Sequence, residues 1–66
     1  MTGEELKKAR IRACLTQRHL GELLGYKGKS AETTVQNWEY GKQPIPIKHF
    51  RMLSKLLDVP LDKFIP

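Results

Sequence analysis

Apolar residues recur along this chain at helical spacing, never at the alternating spacing of strands. Leu6, Ala9 and Ala13, with Ile11 beside them, form a stripe that leaves Lys7, Lys8 and Arg12 mainly on the other side. Thr2 followed three residues later by Glu5 is a capping-box pattern, so the first helix is predicted to open there. Cys14-Leu15 interrupts the stripe and Thr16 reads as a fresh N-cap. It predicts a short second helix over 17–24 that buries Leu20, Leu23 and Leu24 and stops at Gly25. Residues 25–30 are turn-rich, and Ser30 is placed to cap a third helix over 31–40 with Ala31, Val35 and Trp38 inward. Gly41 ends it, and 43–46 is extended because a residue before proline is pushed out of the helical region. A fourth helix runs from 46 or 47 to 57 with Phe50, Leu53, Leu56 and Leu57 inward. Asp58-Val59-Pro60 breaks it, and a last turn over 61–65 caps the core with Leu61, Phe64 and Ile65. The expected fold class is all-α, a compact four- to five-helix domain covering residues 1–66.

Composition narrows this picture. With 66 residues, the chain buries only about 60% of the surface that its unfolded form exposes, so its core is thin. One cysteine forms no internal disulfide and no Cys-rich zinc site, and Cys14 reads as a small apolar filler. No apolar run approaches the ~18–20 residues of a membrane span. The acidic start, Met1 to Glu5, lacks the apolar stretch of a signal peptide, so a cytoplasmic protein is expected. His19 and His49 fall on different helices without other ligands at metal spacing, and both are expected at the surface. No nucleophile–base set, Gly-rich phosphate loop or carboxylate pair stands out. The expectation is no enzyme, no metal and no cofactor.

Charge adds direction. The net charge is +5, and it is uneven. Between Glu5 and Glu22 lie five bases and no acid; between Glu39 and Asp58 lie Lys42, Lys48, Arg51 and Lys55 and again no acid. An anionic partner follows, with nucleic acid first.

The ordered set Arg10, Leu15-Thr16-Gln17, Leu20-Gly21-Glu22-Leu23-Leu24-Gly25, Val35-Gln36-Asn37-Trp38-Glu39-Tyr40-Gly41-Lys42 and Pro46 resembles the Cro/cI-type helix-turn-helix regulators, the XRE family, with a lambda-repressor-like fold. Arg10 stands seven residues before Gln17, as in the family pattern, and Leu57 to Phe64 is similar to the family's ending. The resemblance implies a salt bridge from Arg10 to Glu39, which would also bring Arg10 near a phosphate. It implies backbone contacts from Gln17 and from the Tyr40, Lys42 and Gln43 segment. The physical logic runs beside it. The second and third helices form the helix-turn-helix, and the third presents Glu32, Thr33, Gln36 and Asn37, short or amide side chains suited to base edges. Thr16 and Gln17 open a helix whose N–H groups attract phosphate, with Lys27 and Lys29 in the turn as further backbone contacts. Lys48 and Arg51 extend the track.

The chain departs from the pattern in three places. The stretch from Gly25 to Glu39 is longer by about one helical turn, around Tyr26-Lys27-Gly28-Lys29, so either the turn is looser or the third helix begins earlier. Gly21 stands where Ala is usual, and Cys14 where many relatives have Gly. The expected function is a sequence-specific double-stranded DNA-binding regulator, a repressor of bacterial or phage type. The alternative is a protein-interaction module of antirepressor or antitoxin type, using Ile45, Met52 and Ile65 as an apolar surface. An RNA binder is weaker, because Trp38 is committed to the core. The resemblance implies dimers on pseudo-palindromic sites. A dimer through 61–66 and a monomer that pairs only on DNA both remain open.

Overall fold

The computed structural model describes residues 1–65; Pro66, the end of the segment considered for dimerisation, lies outside the described residues. Four α-helices follow one another: α1 (Gly3–Arg12), α2 (Gln17–Leu23), α3 (Gly28–Glu39) and α4 (Phe50–Leu57). Short 3-10 turns occupy Ile47–His49 and Leu61–Lys63, and there is no strand among the described residues. No described helix is long and apolar enough to cross a membrane.

Two helix starts are local. The Glu5 amide donates to Thr2 Oγ1 at 3.1 Å while the Thr2 amide donates to Glu5 Oε1 at 2.8 Å, closing the capping box. The His19 amide donates to Thr16 Oγ1 at 3.0 Å and caps α2.

The start of α3 differs from expectation. The helix opens at Gly28, not after Ser30, and Ser30 lies inside its first turn. The additional residues have lengthened the helix instead of loosening the loop. Gly28, with φ +57°, swings the chain into the helix without a Cβ to obstruct it.

All four α-helices end the same way. A left-handed residue follows the last turn, and the next amide donates back to a carbonyl five residues earlier. These bonds run from Leu15 to Arg10, Tyr26 to Gly21, Lys42 to Asn37 and Val59 to Ser54, at 2.9–3.1 Å. The left-handed residues are Cys14, Gly25, Gly41 and Asp58. Cys14 is therefore an exposed turn residue, not the apolar filler expected of it. It holds φ +60° in a position that suits glycine.

The core gathers Leu6, Ala9, Leu20, Val35, Trp38, Leu53, Leu57, Val59 and Phe64. Full burial of such aliphatic side chains contributes about 1.5–3 kcal/mol each. Four apolar residues expected inside are exposed: Ile11, Leu23, Leu61 and Ile65. Ile11 lies off the Leu6–Ala9 stripe, and Leu23 falls on the far side of a helix of two turns. Leu61 and Ile65 flank Phe64, which alone of the last turn is buried.

Close backbone approach sets two contacts. The helix α2 crosses α3 with Gly21 against Ala31, and a Cβ at 21 would lie 2.7 Å from the Ala31 Cβ and nearer still to its carbonyl oxygen. Gly3 abuts the end of α3, where a Cβ would lie 2.7 Å from the Trp38 carbonyl oxygen and nearer to that of Glu39.

Candidate nucleic-acid interface

One face of α3 is spent on the core: Ala31, Val35 and Trp38 recur at helical spacing and are buried. The residues between them face away. Thr33 is exposed, while Glu32, Gln36 and Asn37 are half-buried.

The orientation of α3 is fixed at its C-terminal end by Glu39. Arg10 Nε donates to Glu39 Oε2 at 2.7 Å and Arg10 Nη2 donates to Oε1 at 3.4 Å, both within a buried setting. Arg10 Nη1 donates to the Leu15 carbonyl at 2.8 Å, so the same guanidinium ties α1, the entry to α2 and α3. Its side chain is only 10% exposed and that of Glu39 1%. Pairing and hydrogen bonding compensate two charges that could not be buried alone.

The network continues outward. Gln17 Nε2 donates to Glu39 Oε1 at 3.0 Å. Gln36 Nε2 donates to Gln17 Oε1 at 3.1 Å and to Glu32 Oε2 at 3.2 Å. A chain of hydrogen bonds thus runs from buried Arg10 to the surface of α3. The sequence displays each member but not this connection, which depends on α2 crossing α3 at Gly21.

The other candidate residues surround this face. Thr16 caps α2, and Gln17 occupies its first turn. Lys27 is the residue before α3 and Lys29 lies in its first turn, both exposed. Tyr40, Lys42 and Gln43 are exposed past the far end of α3. There the Asn37 carbonyl accepts from the Lys42 amide at 2.9 Å and the Gln43 amide at 3.3 Å, holding the loop against the helix. Lys48 and Arg51 are exposed on the following segment.

Behind α3 lies a group that sequence reasoning missed. His49, expected at the surface, is buried, with its Nε2 2.9 Å from the Tyr26 hydroxyl and its ring 5.7 Å from that of Trp38. His49 closes the 3-10 turn Ile47–His49 and stands four residues before Leu53 and eight before Leu57, on the inward side of the segment that leads into α4. Tyr26 also meets Trp38 edge-on at 6.1 Å, so the turn between α2 and α3 is braced against the segment before α4. Burial pushes the His49 pKa below its ordinary value, and the charge of Lys48 adds to the effect.

A helix-turn-helix family model matches residues 6–64, nearly the whole chain. The chain belongs to the helix-turn-helix family. Its all-helical architecture is that of a lambda-repressor-like domain, and the family is the Cro/cI-type, DNA-binding one of transcription regulation, not a family of enzymes. No curated protein and no solved structure matches the chain.

Proposed function

We propose that this helix-turn-helix protein is a sequence-specific double-stranded DNA-binding repressor of bacterial or phage type. It acts in the cytoplasm as a single domain over residues 1–66 and sets α3 into the major groove. The observation that carries this reading is the division of α3. Ala31, Val35 and Trp38 are buried, Glu39 is locked by Arg10, and the polar residues Glu32, Thr33, Gln36 and Asn37 remain for base edges. Thr16 and Gln17 at the start of α2, with Lys27, Lys29, Tyr40, Lys42 and Gln43, supply the backbone contacts that fix register. Arg10, with its donors turned to Glu39 and Leu15, serves this reading as a positioning residue more than as a phosphate ligand.

The test compares binding to an operator recovered by in-vitro selection with binding to scrambled DNA across salt. The expected result is a specificity ratio of about 10³ or more, and a ratio near one refutes sequence-specific regulation. Replacing Lys42 by alanine is expected to lower the salt slope by about 0.9 while sparing sequence preference.

A second reading has one observation in its favour. Ile45, Ile47, Phe50, Leu61, Phe64 and Ile65 line an apolar groove of about 730 Å³ on the face formed by the loop, α4 and the last turn. A second copy seated there would make the dimer that a pseudo-palindromic operator with half-sites ~34 Å apart requires. A partner protein seated there would make the chain an interaction module. If Gln36→Ala and Asn37→Ala leave activity intact while a stoichiometric protein partner is recovered, the interaction module is the correct reading.

A further inference from the structure

The hydrogen-bond chain across α2 and α3 has a direction, and its two carboxylates set it. Glu39 accepts only, so the Gln17 amide must present its NH2 group to Glu39 and its oxygen away. Glu32 also accepts only, so Gln36 must present its NH2 group to Glu32, and the same nitrogen reaches the Gln17 oxygen at 3.1 Å. Both amides are therefore oriented by chemistry. Gln36 Nε2 carries two hydrogens, and both are engaged: one on Gln17 Oε1 and one on Glu32 Oε2.

What remains of Gln36 is its Oε1, which accepts no hydrogen bond from a described residue. Gln36 and Glu32 are half-buried, yet among the described residues no buried side-chain polar atom lacks a partner. Gln36 Oε1 and the second Glu32 oxygen are consequently open to solvent. Gln36 and Glu32 together therefore offer two neighbouring acceptors and no free donor, while Thr33 and Asn37 beside them keep theirs.

A free glutamine reads adenine through two bonds, accepting from N6 and donating to N7. Gln36 lacks the donor for N7. Guanine offers the major groove only acceptors, N7 and O6, and thymine only O4 and a methyl group. Cytosine offers its N4 amine with no acceptor on its outer flank. We infer that Gln36, held by Gln17 and Glu32, is an acceptor-only reader that selects cytosine at its base pair, and that Glu32 imposes this choice. The inference rests on the proposed DNA-binding function and deepens it. Reading adenine through both of its bonds would require Gln36 to give up its charge-assisted bond to Glu32, and a single bond from N6 would leave the adenine N7 facing acceptors only; this supplies the discrimination.

The experiment is in-vitro selection from randomised duplex DNA with the wild-type protein, Gln36→Ala and Glu32→Ala, each checked for folding by its thermal melt. The base pair under Gln36 is the one whose preference Gln36→Ala erases. Wild type is expected to favour cytosine there by on the order of tenfold to a hundredfold. Glu32→Ala frees one Gln36 N–H beside its oxygen, and the preference is expected to move to adenine. A wild-type preference for adenine or guanine overturns the inference. So does a preference unchanged in Glu32→Ala, or a Gln36→Ala variant that erases nothing. Failure of the wild type to enrich any sequence refutes the proposed sequence-specific function itself, and this inference falls with it.

Discussion

Replacing Gly21 by alanine separates two physical effects that pull in opposite directions. Within a helix, alanine is favoured over glycine by about 0.8–1.0 kcal/mol, so propensity alone predicts a more stable protein. The crossing of α2 on α3 predicts the reverse. A Cβ at 21 would stand 2.7 Å from Ala31 Cβ, where ordinary contact begins at 3.4 Å, and it presses harder still on the Ala31 carbonyl oxygen. A rotamer change cannot relieve this clash, since both partners are backbone or Cβ. The helices must move apart by about 0.7 Å or more. Ala31 and Val35 on the same face of α3 are fully buried, so that movement opens the core. Overpacking of this kind costs about 1–3 kcal/mol. After the propensity gain, the expected net loss lies between about 0 and 2 kcal/mol, centred on about 1. For a domain of this size, each kcal/mol lowers Tm by roughly 4–8 °C. Urea denaturation followed through the fluorescence of Trp38, the single tryptophan, measures it. A gain of about 1 kcal/mol would refute the close packing of α2 on α3.

Three further outcomes follow from the described contacts. Arg10→Met leaves the Glu39 carboxylate buried without its cation and is expected to cost about 3–5 kcal/mol; unchanged stability in urea would show the pair to be dispensable. Cys14→Gly relieves a left-handed residue that buries no side chain, and a gain of about 0.5–1 kcal/mol is expected; a loss in the same assay would contradict the strain. His49 has a lowered pKa in the folded chain, so the unfolded chain binds its proton more tightly. The stability from neutral His49 is complete above its ordinary value of 6.5 and is lost as pH falls through the lowered folded value. Melting from about pH 7.5 down to about pH 5 should show that decline, flatter in His49→Gln, and parallel profiles would remove His49 as its source.

Capping was legible because it is local. Thr2 with Glu5, and Thr16 with the amide three residues on, need only their own turn. The start of α3 was not, because Ser30 is as good a local cap as any and the turn ahead of it decides: Tyr26 bonds back to Gly21 and Gly28 redirects the chain into the helix. Burial of His49 was marked by its spacing, four residues before Leu53 and eight before Leu57 on the same face, and masked by its polar residue type. The candidate residues of α3 could be named from their types and spacing. Their hydrogen-bond partners could not, since Gln17 and Gln36 are 19 residues apart and meet only where α2 crosses α3.

The contact of Gly3 with the end of α3 joins two helices tip to tail. The amide-rich, electropositive tip of α1 meets the carbonyl-rich, electronegative end of α3 at Trp38 and Glu39, with no side chain between them. Each helix supplies the other's missing terminal charge. A tilt of α3 would therefore pull opposed dipoles apart as well as a salt bridge, and the beginning of the chain acts as an electrostatic stop on α3.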